Sequence, residues 1–192
     1  MKIVPIFADT KRKPPEGLFS VCIDPEKDQR DEFKILDDNL SDPEFLRNFF
    51  NKREAFIGAH PFHGSITVRE AIRRTRNEYF SLLRIFKDLA EEGITDEELG
   101  LVEIFKPLKK SEIFKPQLQK EKAKSSYKSW IRVYALRVAQ NFYIVTGGGI
   151  KLYKTMQEDE YLKTQLAKIE LVKQFLIENE MYDPEGFQEL EF

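Results

Sequence analysis

Cysteine is almost missing from this chain of 192 residues: Cys22 stands alone. That excludes an internal disulfide and any cysteine-based zinc site, and it fits a reducing, cytoplasmic compartment. Cys22 lies among Phe19, Val21 and Ile23 in LFSVCID, the pattern of a buried strand residue and not of a nucleophile. Histidine is nearly as scarce, and both copies sit in the tetrad His60-Pro61-Phe62-His63. A metal needs further ligands, and Pro61 breaks the helical geometry of a zinc motif, so the tetrad reads as a loop and neither metal nor cofactor is expected. No apolar run approaches the ~18 residues of a membrane span. The opening MKIVPIF is short, contains Pro5 and is followed by no cleavage site, so it reads as a first strand.

What the chain does have is apolar residues at 41% and charged ones at 33%, enough for one compact core. The expectation is a single domain over residues 1–192, with strands and a helix elaborating 1–64 and a helix–sheet–helix core over 65–192. The net charge of −2 hides a strong asymmetry. Residues 1–100 carry 16 Lys and Arg against 20 Asp and Glu, residues 101–155 carry 12 against 3, and residues 156–192 carry 3 against 10. A basic segment between two acidic ones points to an anionic partner or to pairing within the chain.

Turn residues divide the amino-terminal part into strands MKIVPIF, LFSVCID and EFKILD, the first two separated by Pro14–Gly17. Ser41-Asp42-Pro43-Glu44 predicts a helix to about Lys52, with Ser41 as N-cap. Thr67-Val68-Arg69-Glu70 opens the longest helix with a capping-box spacing, and Gly93 ends it. Ala71, Ile72, Tyr79, Leu82, Leu83, Phe86 and Leu89 form its core stripe, while Arg69, Arg73, Arg76 and Arg84 lie off it. The lysine-rich stretch from Phe105 to Ser129 reads as an irregular connection. WIRVYALRV and NFYIVT read as a hairpin, IKLYKT as a third strand, and about Glu158 to Asn179 as a closing helix.

The run Gly147-Gly148-Gly149 is not a phosphate cradle, because a Walker loop needs G-x-x-x-x-G-K-[ST] opening a helix and GGGIK leads into β-favouring residues. Two readings stay open: a bulge or positive-φ corner, or the mouth of a site built from the basic residues beside it. On the first strand Arg132, Tyr134 and Leu136 point one way, and Ile131, Val133, Ala135 and Arg137 the other. Lys151 and Tyr153 share a face, with Lys154 opposite. Cations and tyrosines on a sheet suit single-stranded RNA, and they also make an ordinary solvated sheet face.

These residues, Arg132-Val133-Tyr134, Asn141 to Gly147 and Lys151 to Thr155, resemble the carboxy-terminal pattern of the RelE/HigB-type toxins of bacterial toxin–antitoxin pairs. The resemblance spans about thirty residues. It implies an α+β fold in which an antiparallel RelE-like sheet packs with helices, extended at the amino terminus. It also implies a metal-independent endoribonuclease that cleaves mRNA, often at the ribosome, and is neutralised by an antitoxin protein. Such cleavage drives a ribose 2′-hydroxyl onto the adjacent phosphate, so protons must move and cations must stabilise the added charge. On that reading Arg132, Lys151 and Tyr153 form the catalytic set. Tyr134, Arg137, Lys154, Thr146, Gly147 and Gly148 form the RNA-binding surface. The expected partners are RNA and an antitoxin, with no membrane and no DNA. The alternative is a noncatalytic, mobile-element-associated interaction protein whose basic hairpin binds an acidic partner chain or the acidic tail of the chain itself.

Overall fold

The computed structural model describes residues 1–58, 65–96, 99–108, 118–126, 129–152 and 160–190. Among them the chain forms an α+β fold with six strands: β1 (Lys2–Asp9), β2 (Glu16–Cys22), β3 (Phe105–Pro107), β4 (Gln119–Ala123), β5 (Ile131–Ala139) and β6 (Phe142–Ile150). The helices are α1 (Glu32–Ser41), α2 (Pro43–Asn51), α3 (Glu54–Gly58), α4 (Val68–Thr95) and α5 (Glu160–Glu178). The strands join in one sheet in the order β1-β2-β6-β5-β4-β3. The expected antiparallel character is correct for every pair except one, since β2 runs parallel to β6.

The central strands are covered on both faces. On one side Leu36 and Leu40 of α1, Phe50 of α2 and Leu82 and Phe86 of α4 pack against Ile131, Val133, Tyr143 and Val145. On the other, Ile169, Val172 and Leu176 of α5 pack against Tyr134, Leu136, Phe142 and Ile144. Each such fully buried side chain contributes about 1.5–3 kcal/mol. The alternation read along β5 therefore holds, with both of its faces buried.

Several expected elements differ. EFKILD is helix α1, not a strand: the Asp31 carboxylate accepts hydrogen bonds from the N–H groups of Phe33 (2.9 Å) and Lys34 (3.0 Å), and Phe33, Leu36 and Leu40 are buried at helical spacing. Ser41 ends that helix, and Asp42 is the N-cap of α2, ahead of Pro43. The lysine-rich connection contributes β4, which pairs with β5, and the edge strand β3 beside it. The Thr67–Glu70 capping box forms as expected.

The glycine run lies inside β6, not beyond its end. The β5–β6 register shifts between Tyr134 and Ala135, which pair with Gly147 and Val145. Thr146 is the extra residue of this bulge, and its hydroxyl donates to the Tyr134 carbonyl at 3.3 Å. Gly147 takes φ +142°, a conformation that side chains resist. Pairing with β2 stops at Ser20 and Val145, and α5 takes over beyond that point. Gly148 N–H donates to Gln165 Oε1 at 3.1 Å, and the Tyr161 hydroxyl donates to the Gly148 carbonyl at 2.9 Å. A Cβ on Gly148 would lie 2.6 Å from the Arg132 carbonyl and 2.9 Å from Leu36 of α1. The run is thus the seat on which helices from both faces close.

Gly148→Ala is expected to cost roughly 1–3 kcal/mol through overpacking. Gly58→Ala in α3, where an added Cβ meets nothing within 4 Å, should be neutral or gain up to about 1 kcal/mol. Urea unfolding of the two variants checks the contrast, and equal midpoints would contradict it.

Candidate functional site

Among the described residues, the basic hairpin forms no open mouth at Thr146–Gly148. Tyr134 is 1% exposed and lies under α5, where burial above all pushes its hydroxyl pKa up; Arg132 opposes this and Tyr161 adds to it. A ring sealed in this way cannot stack on a base. Thr146 is buried at the bulge, Gly147 meets Gln165, and Gly148 is held by α5 and α1. The expectation of an open mouth at Thr146, Gly147 and Gly148 is therefore corrected: Tyr161 and Gln165 occupy that space.

The two arginines of β5 lie on opposite faces, as their spacing predicted, and both are engaged locally. Arg132 Nη1 donates to the carbonyls of Ser129 (2.6 Å) and Ile131 (2.7 Å). Its pKa is lowered, chiefly by burial, with Tyr134 and Glu78 opposing. Arg137 Nε donates to the Ala139 carbonyl at 3.3 Å. The backbone N–H of half-buried Lys151 donates to Trp130 O at 2.8 Å. Tyr153 and Lys154, together with Thr155 and the histidines His60 and His63, lie outside the described residues. Lysines of the basic segment also meet α5: Lys120 pairs with Glu170, and Lys173 of α5 donates to the Leu118 carbonyl at 2.9 Å.

On the face opposite α5, Arg137 adjoins a polar cluster that the sequence did not reveal. Glu121 of β4 is 1% exposed, with one carboxylate oxygen 3.8 Å from Arg137 Nη1. Among the described residues, its other oxygen and the buried Tyr143 hydroxyl have no hydrogen-bond partner. Phe105 stacks on the Tyr143 ring at 4.7 Å. Burial raises the Glu121 pKa, with Arg137 and then Lys106 opposing. Burial likewise raises Tyr143, and Glu121 reinforces the shift. Both groups hold their protons more tightly than usual, the reverse of what a proton-releasing site needs.

The open, chemically distinctive surface lies between α2 and α4. A groove of about 360 Å³ is lined by Arg47 from α2 and by Arg69, Arg73 and Arg76 from α4. Ile72 and Phe80 supply apolar area, and Phe80 is 41% exposed. Among the described residues, no carboxylate forms an ion pair with any of these four arginines, whereas neighbouring Arg74 is paired with Glu78 at 3.0 Å. Nearby acids are engaged elsewhere. Glu70 accepts from Thr67 N–H at 2.8 Å in the capping box, which lowers its pKa ahead of the smaller effect of Arg73. Asp42 caps α2. Arg76 lies over the Phe80 ring at 5.8 Å, and among the described residues its buried Nε has no hydrogen-bond partner.

Among the described residues no cluster of His, Cys, Asp and Glu could hold a metal ion, and no helix is long and apolar enough to cross a membrane. Fold and groove together define an α+β protein with an arginine-lined surface. The chain matches no family model, no curated protein and no solved structure.

The raised Glu121 pKa sets a pH dependence. The stabilising contribution of the protonated carboxyl is fully present below the ordinary value of about 4.3 and is lost as pH rises through the higher folded value. Glu121→Gln should therefore match the parent chain near pH ~4 and exceed its urea midpoint near pH ~7. A variant no more stable than the parent at neutral pH would contradict this account of the cluster.

Proposed function

We propose that this chain is a noncatalytic interaction protein whose α2–α4 groove receives an acidic segment of a partner protein. The observation that carries the reading is the convergence of Arg47, Arg69, Arg73 and Arg76 without carboxylate partners, beside the exposed Phe80. Guanidinium groups bind carboxylates through paired, charge-assisted hydrogen bonds. Four unpaired ones also repel each other, so an incoming acid relieves repulsion as well as forming bonds. Such a surface speeds encounter with an acidic partner and loses affinity as salt rises.

The RelE-like reading of the fold has the support of its order, in which helices precede the antiparallel run β4–β5–β6 and a closing helix follows. Within that reading the acidic partner is the antitoxin. The ribonuclease activity itself has weaker support, since Arg132 donates to the Ser129 and Ile131 carbonyls and α5 covers Tyr134. Cleavage would require a phosphate to displace those contacts.

Fluorescence anisotropy with labelled polyglutamate and with a single-stranded oligo(U) RNA tests the assignment. Polyglutamate is expected to bind, more weakly at higher salt, and the Arg69→Glu/Arg73→Glu variant to bind at least about tenfold less, or ~1.4 kcal/mol. Induced expression should leave transcripts intact. Preferential binding and cleavage of the RNA would overturn the proposal.

A further inference from the structure

Arg69, Arg73, Arg76 and Phe80 follow one another at intervals of four, three and four residues along α4. At 100° per residue they fall within a narrow stripe on one side of the helix, and they span roughly 16 Å of its axis. That 4–3–4 spacing is the one by which one helix presents a seam to another. The inward face of α4 is already occupied, with Ala71, Thr75, Tyr79, Leu82 and Phe86 buried in the core. The arginine seam is therefore a second, outward stripe that no element among the described residues covers with carboxylates. Arg47 of α2 flanks it, so the two helices make a trough.

Resting on the acidic-partner reading, we infer that the occupant is an amphipathic α-helix of the partner, carrying carboxylates at 4–3 spacing followed by one apolar anchor. A partner helix packed about 8–10 Å from α4 repeats the same axial steps, about 6.0 Å and 4.5 Å for four and three residues. Its acids can therefore stay level with Arg69, Arg73 and Arg76 together. An extended segment offers same-face side chains only at steps of about 6.6 Å, so it drifts out of register along the seam. The apolar end of the seam is specific too. Phe80 is 41% exposed, with the Arg76 guanidinium over its ring and the Tyr79 ring 6.1 Å away, so an anchor placed one step beyond the third acid would bury its exposed part. Arg47 on the α2 wall selects the same charge sign. Alternating acids without the anchor leave that ring in water.

Three synthetic peptides of about 20 residues and equal net charge test this against the intact chain. The first carries glutamates at 4–3 spacing with a leucine four residues further on; the second has the same composition with the spacing scrambled; the third has serine in place of the leucine. The first is expected to bind at least tenfold tighter than the second, to gain helical circular dichroism on binding, and to lose that advantage against Phe80→Ala. The third should be insensitive to Phe80→Ala. Equal binding of the first two peptides would overturn the helix inference while leaving the acidic-partner reading intact. Binding of none, with the chain folded by circular dichroism, would overturn both. Displacement of the first peptide by equimolar oligo(U), or concentration-dependent self-association abolished by Arg69→Glu/Arg73→Glu, would replace the partner helix with RNA or a second copy of the chain.

Discussion

The structure depends on the close approach of helices to β6 at Gly147–Gly149. A bulge at Thr146 frees the strand from its register with β5, and the end of pairing with β2 leaves the Gly148 peptide without a strand partner on that side. Gln165 of α5 supplies the missing acceptor and Tyr161 the missing donor from one face, while Leu36 of α1 presses against Gly148 from the other. Side chains on these glycines would hold the helices away. Because the helices close, Tyr134 and Thr146 become core residues.

The charge distribution follows a related logic. The excess of positive charge between residues 101 and 155 suggested an anion-binding hairpin, yet much of it is used within the fold. Arg132 donates to the Ser129 and Ile131 carbonyls, Arg137 lies by Glu121, and Lys120 reaches Glu170 of α5. The amino-terminal hundred residues are net acidic, yet they contain the arginine groove. There the acids are occupied: Asp42 and Glu70 by helix caps and Glu78 by Arg74. On the proposed function, unpaired charge, not charge density along the sequence, marks the surface that would receive a partner.

Much of this was legible in the chain itself. The capping box at Thr67–Glu70 located α4, the β-favouring run WIRVYALRV before a hairpin-length loop located β5, and the two-residue period of a strand separated Arg132 from Arg137. EFKILD misled because six residues with apolar positions close together fit a strand as well as a helix; Asp31, the cap that decides, lay just outside the segment. The edge strand β3 carries lysine and proline, which protect sheet edges but read as loop, and its neighbour β4 is lysine-rich as well. Burial of Glu121 and Tyr143 depends on pairing between distant segments, so nothing local announced it. The arginines off the core stripe of α4 were visible from their spacing. Their significance required Arg47, brought beside them by the packing of α2.

Amide hydrogen exchange along β6 measures the central claim directly, because a closed helix seat and an open site differ in access of water to the same backbone groups. The Gly148 amide, donating to buried Gln165, should exchange as slowly as the amides of Val133 and Ala135 in the core of β5. Exchange there as fast as at the exposed turn residue Gln140 would mean that the glycine corner stands open, and the account built on its closure would fail.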